Sequence, residues 1–294
     1  MPEGRSMCSG CLDTVGPVLR RGGGRLVRWF VLSLPIIVGL AVPASARELR
    51  VCADPNNLPF SNERGEGFEN KIVEILAKDL GAEVSYVWWA QRRGFVRNTL
   101  KAGLCDLIPG TPADLEMLSP TAPYYRSSYV FVTREDGPDI SSFDDPRLRD
   151  LTIGVQLIGD DGADPPPVTE LARRGIVGRL RGFPVYGDYS LPNPPSRIIE
   201  AVAEGEIDVA IAWGPLAGYF AERQPVRLKV APVSPQADQA TIPMVYDISM
   251  GVRRDDEGLR GEIDAALAKH KPEIKAVLTE YNVPLLDPTG SRSP

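Results

Sequence analysis

Apolar residues along this chain recur at two spacings, and the two take turns. Leu49–Ala53 is a short apolar run. Phe68, Ile72, Ile75, Leu76 and Leu80 then fall at helical spacing, and Val84–Trp89 is again rich in β-formers. Gly94–Ala102, closed by Gly103, predicts a second helix, and Leu104–Pro109 a third strand. Strands separated by helices in this order imply a parallel sheet. Tyr129–Thr133 predicts a strand that leaves this unit.

A second alternating unit follows the Asp-Pro-rich stretch at Asp144–Pro146. Strands are predicted at Leu151–Val155, Leu180–Tyr186, Glu206–Trp213 and Leu228–Pro232, with helices at Val168–Arg174, Ser196–Glu204 and Leu216–Arg223. Met244–Arg253 predicts a strand that returns the chain to the first unit. Leu259–His270 and Glu273–Tyr281 predict closing helices on either side of Pro272. Two α/β units, one inserted in the other and joined by two strands, predict a hinged clamshell. Its lobes are 47–133 plus 246–294 and 134–245. No short-period repeat is present, which argues against a solenoid.

The first 46 residues carry a different pattern. Arg20, Arg21, Arg25 and Arg28 precede the uncharged apolar run Trp29–Val42, and Ala44-Ser45-Ala46 supplies small residues for cleavage after Ala46. Basic, apolar, small is the order of a secretory signal, and the run is short for a membrane span. Pro35 and Pro43 argue against the alternative of an uncleaved anchor helix, and the Arg pair lacks the rest of a twin-arginine motif. Export to the periplasm is the expectation. The leader holds Cys8 and Cys11. Removing its net charge of +3 from the chain's −6 leaves about −9, a poor match for nucleic acid or an anionic lipid surface.

In an oxidising compartment the two remaining cysteines, Cys52 and Cys105, read more readily as a disulfide than as two buried thiols. Cys52 lies on the first strand and Cys105 opens the third, and those strands are neighbours in a doubly wound lobe. Catalytic chemistry is thinly supplied. His270 is the single histidine, on a late helix, so neither a His-rich zinc site nor a convincing nucleophile-histidine set is available. Phosphate-binding and dinucleotide glycine motifs are missing as well. The cluster Asp160-Asp161-Gly162-Ala163-Asp164 fails the spacing of a calcium loop and reads as a solvated acidic loop; no metal site is expected.

Binding chemistry is better supplied. Ligands in α/β sheets gather at the carboxyl ends of strands. Asp54, Asn56 and Asn57 stand at the end of the first strand, beside an apolar wall of Pro59, Phe60 and Phe68. Trp88 and Trp89 end the second strand, with Gln91, Arg92 and Arg93 just beyond. Gly110 and Thr111 follow the third, where backbone amides can face a ligand. Tyr124 and Tyr125 sit where the chain begins to cross, and Trp213 ends the central strand of the second unit. Aromatics with a few polar anchors suit a small-molecule or peptide cleft. Simple alternatives stand beside these readings: Asn56-Asn57 as a turn, and one of Trp88 and Trp89 as a core residue.

The segments Val51–Ile72 (VCADPNNLPFSNERGEGFENKI), Cys105–Ala113 (CDLIPGTPA) and Pro123–Arg134 (PYYRSSYVFVTR) carry a family resemblance. Nearly the whole chain after the leader resembles the type II periplasmic solute-binding proteins of the amino-acid class, and more closely the MxaJ/XoxJ accessory proteins associated with quinoprotein dehydrogenases. The resemblance implies a periplasmic binding protein type II fold, two doubly wound α/β lobes joined by two crossing strands. It also implies a non-catalytic helper that docks on a PQQ-dependent methanol or alcohol dehydrogenase, of the lanthanide-using type, and aids its maturation or activation. PQQ and a metal ion would belong to that client, with no cofactor bound by this chain. The other expectation is a transport receptor that delivers a small organic solute to a membrane permease. Amino-acid binders place an arginine after the third strand and an aspartate at the end of the second lobe's central strand. Here Thr111–Ser119 (TPADLEMLS) lacks arginine, and the second position is Trp213, so an amino acid is not the expected ligand.

Overall fold

The computed structural model describes residues 47–157, 165–185, 189–236 and 242–287. The leader with its cleavage point, Cys8, Cys11, the Asp160–Asp164 cluster and Tyr186 lie outside the described residues. The strands are β1 (Arg47–Ala53), β2 (Asn56–Asn57), β3 (Ser61–Asn62), β4 (Ala82–Trp88), β5 (Leu107–Pro112), β6 (Ser119–Pro120), β7 (Tyr125–Arg134), β8 (Ile153–Leu157), β9 (Leu180–Pro184), β10 (Val209–Trp213), β11 (Leu228–Pro232) and β12 (Val245–Val252). The helices are α1 (Phe68–Asp79), α2 (Phe95–Asn98), α3 (Pro166–Arg173), α4 (Arg197–Ala203), α5 (Gly214–Ala221), α6 (Glu257–Lys269) and α7 (Lys271–Glu280).

In the first lobe β1 pairs in parallel with β4 and β5, and in the second β8 pairs in parallel with β9 and β10. The strands that cross between them are antiparallel to their neighbours. One end of β7, Tyr125–Ser128, pairs with β12 at Val245–Ile248. Beyond Ser128 the same strand pairs with β10 and β11 in the second lobe, while β12 continues along β5 and β6 in the first. The path runs β4-β1-β5-β12-β7-β10-β8-β9, so β7 and β12 are the hinge of a mixed sheet.

Strand alternation builds the cores. Leu49 and Val51 of β1 join Phe68, Ile72 and Leu76 of α1 and Ile263 and Ile274 of α6 and α7 on one face. Cys52, on the other parity, packs with Phe95, Leu100, Ile108 and Leu118. There Cys52 is bonded to Cys105, with Cα atoms 5.6 Å apart across a separation of 53 residues. Closing a loop of that length removes about 4 kcal/mol of unfolded-chain entropy. In the second lobe α4 and α5 cover one face through Ile199, Val202 and Leu216. Phe131, Phe143, Ile153 and Leu171 fill the other.

β7 begins at Tyr125 rather than Tyr129 and β10 at Val209 rather than Glu206, and two further elements of the first lobe differ from the sequence expectation. The helix expected over 94–102 is a single turn, Phe95–Asn98, because Thr99 turns its own hydroxyl onto the Phe95 carbonyl at 2.6 Å and leaves helical geometry. The third strand begins at Leu107 rather than Leu104; before it, Asp106 N donates to the Arg50 carbonyl of β1 at 2.7 Å and the Asp106 carboxylate pairs with Arg50 and Arg253. β5 also runs on to Pro112 instead of ending at Pro109, so Gly110 and Thr111 lie within it, not beyond it.

After α7 the chain makes a further passage over the hinge. Ser127 Oγ donates to the Pro284 carbonyl at 2.7 Å, and Leu286 N donates to the Arg126 carbonyl at 2.9 Å. Tyr281 stacks on Tyr219 of α5, with centroids 5.5 Å apart. Gly218 is required there, since a Cβ at that position would sit 2.0 Å from the Asn282 carbonyl oxygen.

Candidate functional site: an aromatic cleft with one buried carboxyl

A cleft of about 410 Å³ lies between the lobes, within the usual size range of small-molecule sites. Asn57, Phe60, Gly110, Thr111, Tyr125 and Trp213 line it. So do Gln91, just beyond the second strand, and Tyr129, Tyr246, Gln156 and Glu69, which the sequence does not single out. The aromatic rings of the wall fall into two contact sets. Trp213, at the end of β10, meets Tyr129 and Tyr246 edge-on at centroid distances of 5.5 and 5.9 Å, and its backbone N donates to Gln156 Oε1 at 2.7 Å. Phe60 meets Phe68 at 5.4 Å.

The other expected site residues lie elsewhere. Phe68 is fully buried in the first-lobe core. Tyr124 donates its hydroxyl to the Pro109 carbonyl at 3.0 Å. Trp88 stacks on Tyr86 at 4.5 Å on the edge strand β4 and is half-buried, while Trp89 is exposed, so neither is a core residue. Asp54, Asn56 and Arg92 work at the rim. Asp54 accepts from Asn56 N at 2.9 Å, from Gln91 N at 2.7 Å and from Tyr189 Oη of the second lobe at 2.8 Å. Asn56 donates its amide to the Leu191 carbonyl at 2.8 Å and accepts from Asn193 N at 3.3 Å. The Arg92 guanidinium lies 5.3 Å from the centre of the Tyr189 ring. These contacts tie one lobe to the other across the mouth. Burial, then the bond to Asp54, pushes the Tyr189 hydroxyl above its ordinary pKa.

Glu69 is the one charged residue type on the cleft wall among the described residues. It sits in the first turn of α1, where a carboxylate ordinarily gains from the helix dipole. Here it is only 7 % exposed, and burial pushes its pKa up to about 8. Burial, and secondarily the Glu69 charge, raises the hydroxyls of Tyr124 and Tyr125 well above theirs. Among the described residues no group of three or more His, Cys, Asp or Glu side chains is placed to hold a metal ion.

Period-two alternation gives a signal for two of the additional residues. On β7 it places Tyr129 on the same face as Tyr125, and on β12 it places Tyr246 with Ile248. Glu69 carries no such signal: an acidic residue in a first helical turn reads as an ordinary exposed one.

Residues 49–282 match the bacterial extracellular solute-binding proteins, family 3. The protein MoxJ of Methylorubrum extorquens is 36 % identical over 262 residues, covering 84 % of each chain. The crystal structure of the periplasmic binding protein XoxJ from Methylobacterium extorquens AM1 is 40 % identical, with TM-score 0.66 over 81 % of this chain and 99 % of that one. The crystal structure of MxaJ from Methlophaga aminisulfidivorans MPT is 28 % identical, with TM-score 0.68 over 81 % and 100 %. Among the described residues no helix is long and apolar enough to cross a membrane. The chain belongs to the MoxJ/XoxJ branch of the bacterial extracellular solute-binding proteins, family 3.

Proposed function

We propose that this protein is a periplasmic, non-catalytic accessory protein of a PQQ-dependent methanol or alcohol dehydrogenase system, of the lanthanide-using type. It docks on the dehydrogenase and aids maturation or activation, receiving a protruding segment of its client between the lobes 47–133 plus 246–294 and 134–245. PQQ and the metal ion belong to the client. The observation that carries this reading is the cleft wall. It has Trp213 at the end of β10 and neither arginine nor lysine among its described residues, so it lacks the paired anchors that would grip an amino acid. Membership in a branch with relatives named MoxJ, XoxJ and MxaJ supports the choice of client.

The test is capture from periplasm with the wild-type protein and the Trp213→Ala and Phe60→Ala variants. Recovery of a quinoprotein dehydrogenase, reduced in the variants, is expected. Absence of any dehydrogenase from the wild-type eluate overturns the reading. The second reading, a transport receptor for a small organic solute other than an amino acid, is favoured by the size of the cleft. A solute that raises the melting temperature without any client would support it.

A further inference from the structure

Three carboxylates are buried among the described residues: Asp54, Glu69 and Glu170. Asp54 holds the hydrogen bonds of the rim, and Glu170 pairs with Arg174. Glu69 has no side-chain hydrogen bond and no ion pair among the described residues. Its pKa is displaced by burial alone. A buried carboxyl without a partner costs stability, and such groups are kept where they meet something from outside. Here it lines the cleft directly. Gly110 of β5 makes the room, since a Cβ there would lie 2.0 Å from Glu69 Oε1.

The rest of the wall selects the sign and size of a partner. Phe60, Tyr129, Trp213 and Tyr246 present aromatic rings, whose faces attract cations. No second carboxylate lines the cleft among the described residues, so a divalent ion, which needs several oxygen ligands, is poorly served. An anion meets no positive side chain there. An uncharged solute could hydrogen-bond the carboxyl but would supply no counter-charge to its ionised form.

We propose that the cleft binds an organic monocation, an alkylammonium or alkylguanidinium group, with Glu69 as its counter-charge and Phe60, Tyr129, Trp213 and Tyr246 as its cage. The proposal rests on the docking reading only for the source of the cation, which is either a free amine or a lysine or arginine side chain offered by the dehydrogenase. Binding displaces a proton. With a pKa of about 8 Glu69 is protonated near neutral pH, and an arriving cation makes the carboxylate the favoured form. The other ionisable groups facing it, Tyr86 of β4 and Tyr124 and Tyr125 at the start of β7, are themselves raised and stay neutral. The released proton is therefore that of Glu69.

The experiment is calorimetric titration of the exported chain with choline, its uncharged tert-butyl analogue, N-acetyl-lysine methylamide and N-acetyl-arginine methylamide. It is run near neutral pH in two buffers of different ionisation enthalpy. At least one cation is expected to bind with a dissociation constant below about 1 mM, with the uncharged analogue roughly tenfold weaker or worse. Roughly one proton is released per cation bound. Glu69→Gln is expected to keep the fold, checked by its melting curve, and to lose both the discrimination and the proton release. Equal binding of the uncharged analogue, unchanged binding by Glu69→Gln, or no binding of any cation by folded protein overturns the proposal. The source is read separately. Preference for a capped amino acid, with Glu69→Gln weakening dehydrogenase capture, identifies a client side chain. Preference for choline with capture unchanged identifies a solute. Cation binding without any dehydrogenase capture leaves this proposal standing and removes the docking reading.

Discussion

Asp54 at the rim accepts three hydrogen bonds, and Glu69 on the cleft wall accepts none, although both are buried carboxyls of the first lobe. Surroundings make the difference. Asp54 stands at the end of β1, where the chain turns and frees backbone N–H groups, so the fold itself supplies donors. Glu69 stands in the first turn of α1, where Phe68 N and Glu69 N already donate to the Pro59 and Phe60 carbonyls, opposite a glycine whose missing side chain leaves it room. The same functional group serves structure at one end of the cleft and is left open for chemistry at the other. Burial alone therefore does not separate a functional carboxyl from a structural one; the census of partners does.

Replacing Asp54 should produce the largest change. Asp54→Ala removes the acceptor of two backbone N–H groups and of the Tyr189 hydroxyl, and is expected to destabilise by about 4 kcal/mol and lower the melting temperature by roughly 10 °C. A loss of under about 1 kcal/mol would show that water replaces the carboxylate and that Asp54 is no more structural than Glu69.

Glu69→Gln should act in the opposite sense. The folded-state pKa of about 8 lies above the unfolded value near 4.5, so the unfolded chain binds fewer protons between those values. Wild-type stability is therefore penalised as pH rises through that window, with nothing lost below it. Glu69→Gln is expected to stabilise by on the order of 3 kcal/mol at about pH 7, and to have no effect at about pH 4. Denaturant unfolding at both pH values checks this, and a destabilised variant at neutral pH would mean that the carboxyl has a structural partner after all.

Smaller effects should separate the two lobes' shares of the rim. Tyr189→Phe deletes one bond to Asp54 and is expected to cost about 1.5 kcal/mol. Asn56→Ala, which removes the amide bond to the Leu191 carbonyl and the acceptor for Asn193 N, should cost about 1 kcal/mol. Chemical denaturation of the singles and the Asp54–Tyr189 double variant tests the coupling, and additive costs would remove the inter-lobe bond from the account.

The clamshell was legible because its signals are local and periodic. Phe68, Ile72 and Leu76 mark α1 by spacing, and Leu228–Pro232 marks β11 by composition alone. The segment after Gly94 reads as a full helix in sequence because the competition from the Thr99 hydroxyl is invisible in a pattern of apolar positions. At the cleft, residues at strand ends such as Asn57 and Trp213 could be placed from topology. Phe68 and Trp88 could not be told from wall residues, because both are large aromatics beside the right loops. Glu69 was hidden for a different reason: its environment is assembled from β5 and β7, far away in sequence, and only the assembled fold shows that no donor reaches it.

The C-terminal passage over the hinge changes the mechanics of the molecule. Two strands alone make a pivot that bends by changing a few backbone angles. With Tyr281 stacked on Tyr219 and Pro284 and Leu286 tied to β7, rotation of one lobe also has to slide a packed surface, which turns bending into shear. Among the described residues the far side of the cleft is held by the bonds of Tyr189 and Asn56 and by the contact of Arg92 with the Tyr189 ring. The molecule is thus stiff at the spine and loose at the lip. If the cleft opens at that lip, the residence time of an occupant is expected to follow those few contacts rather than a whole-domain swing.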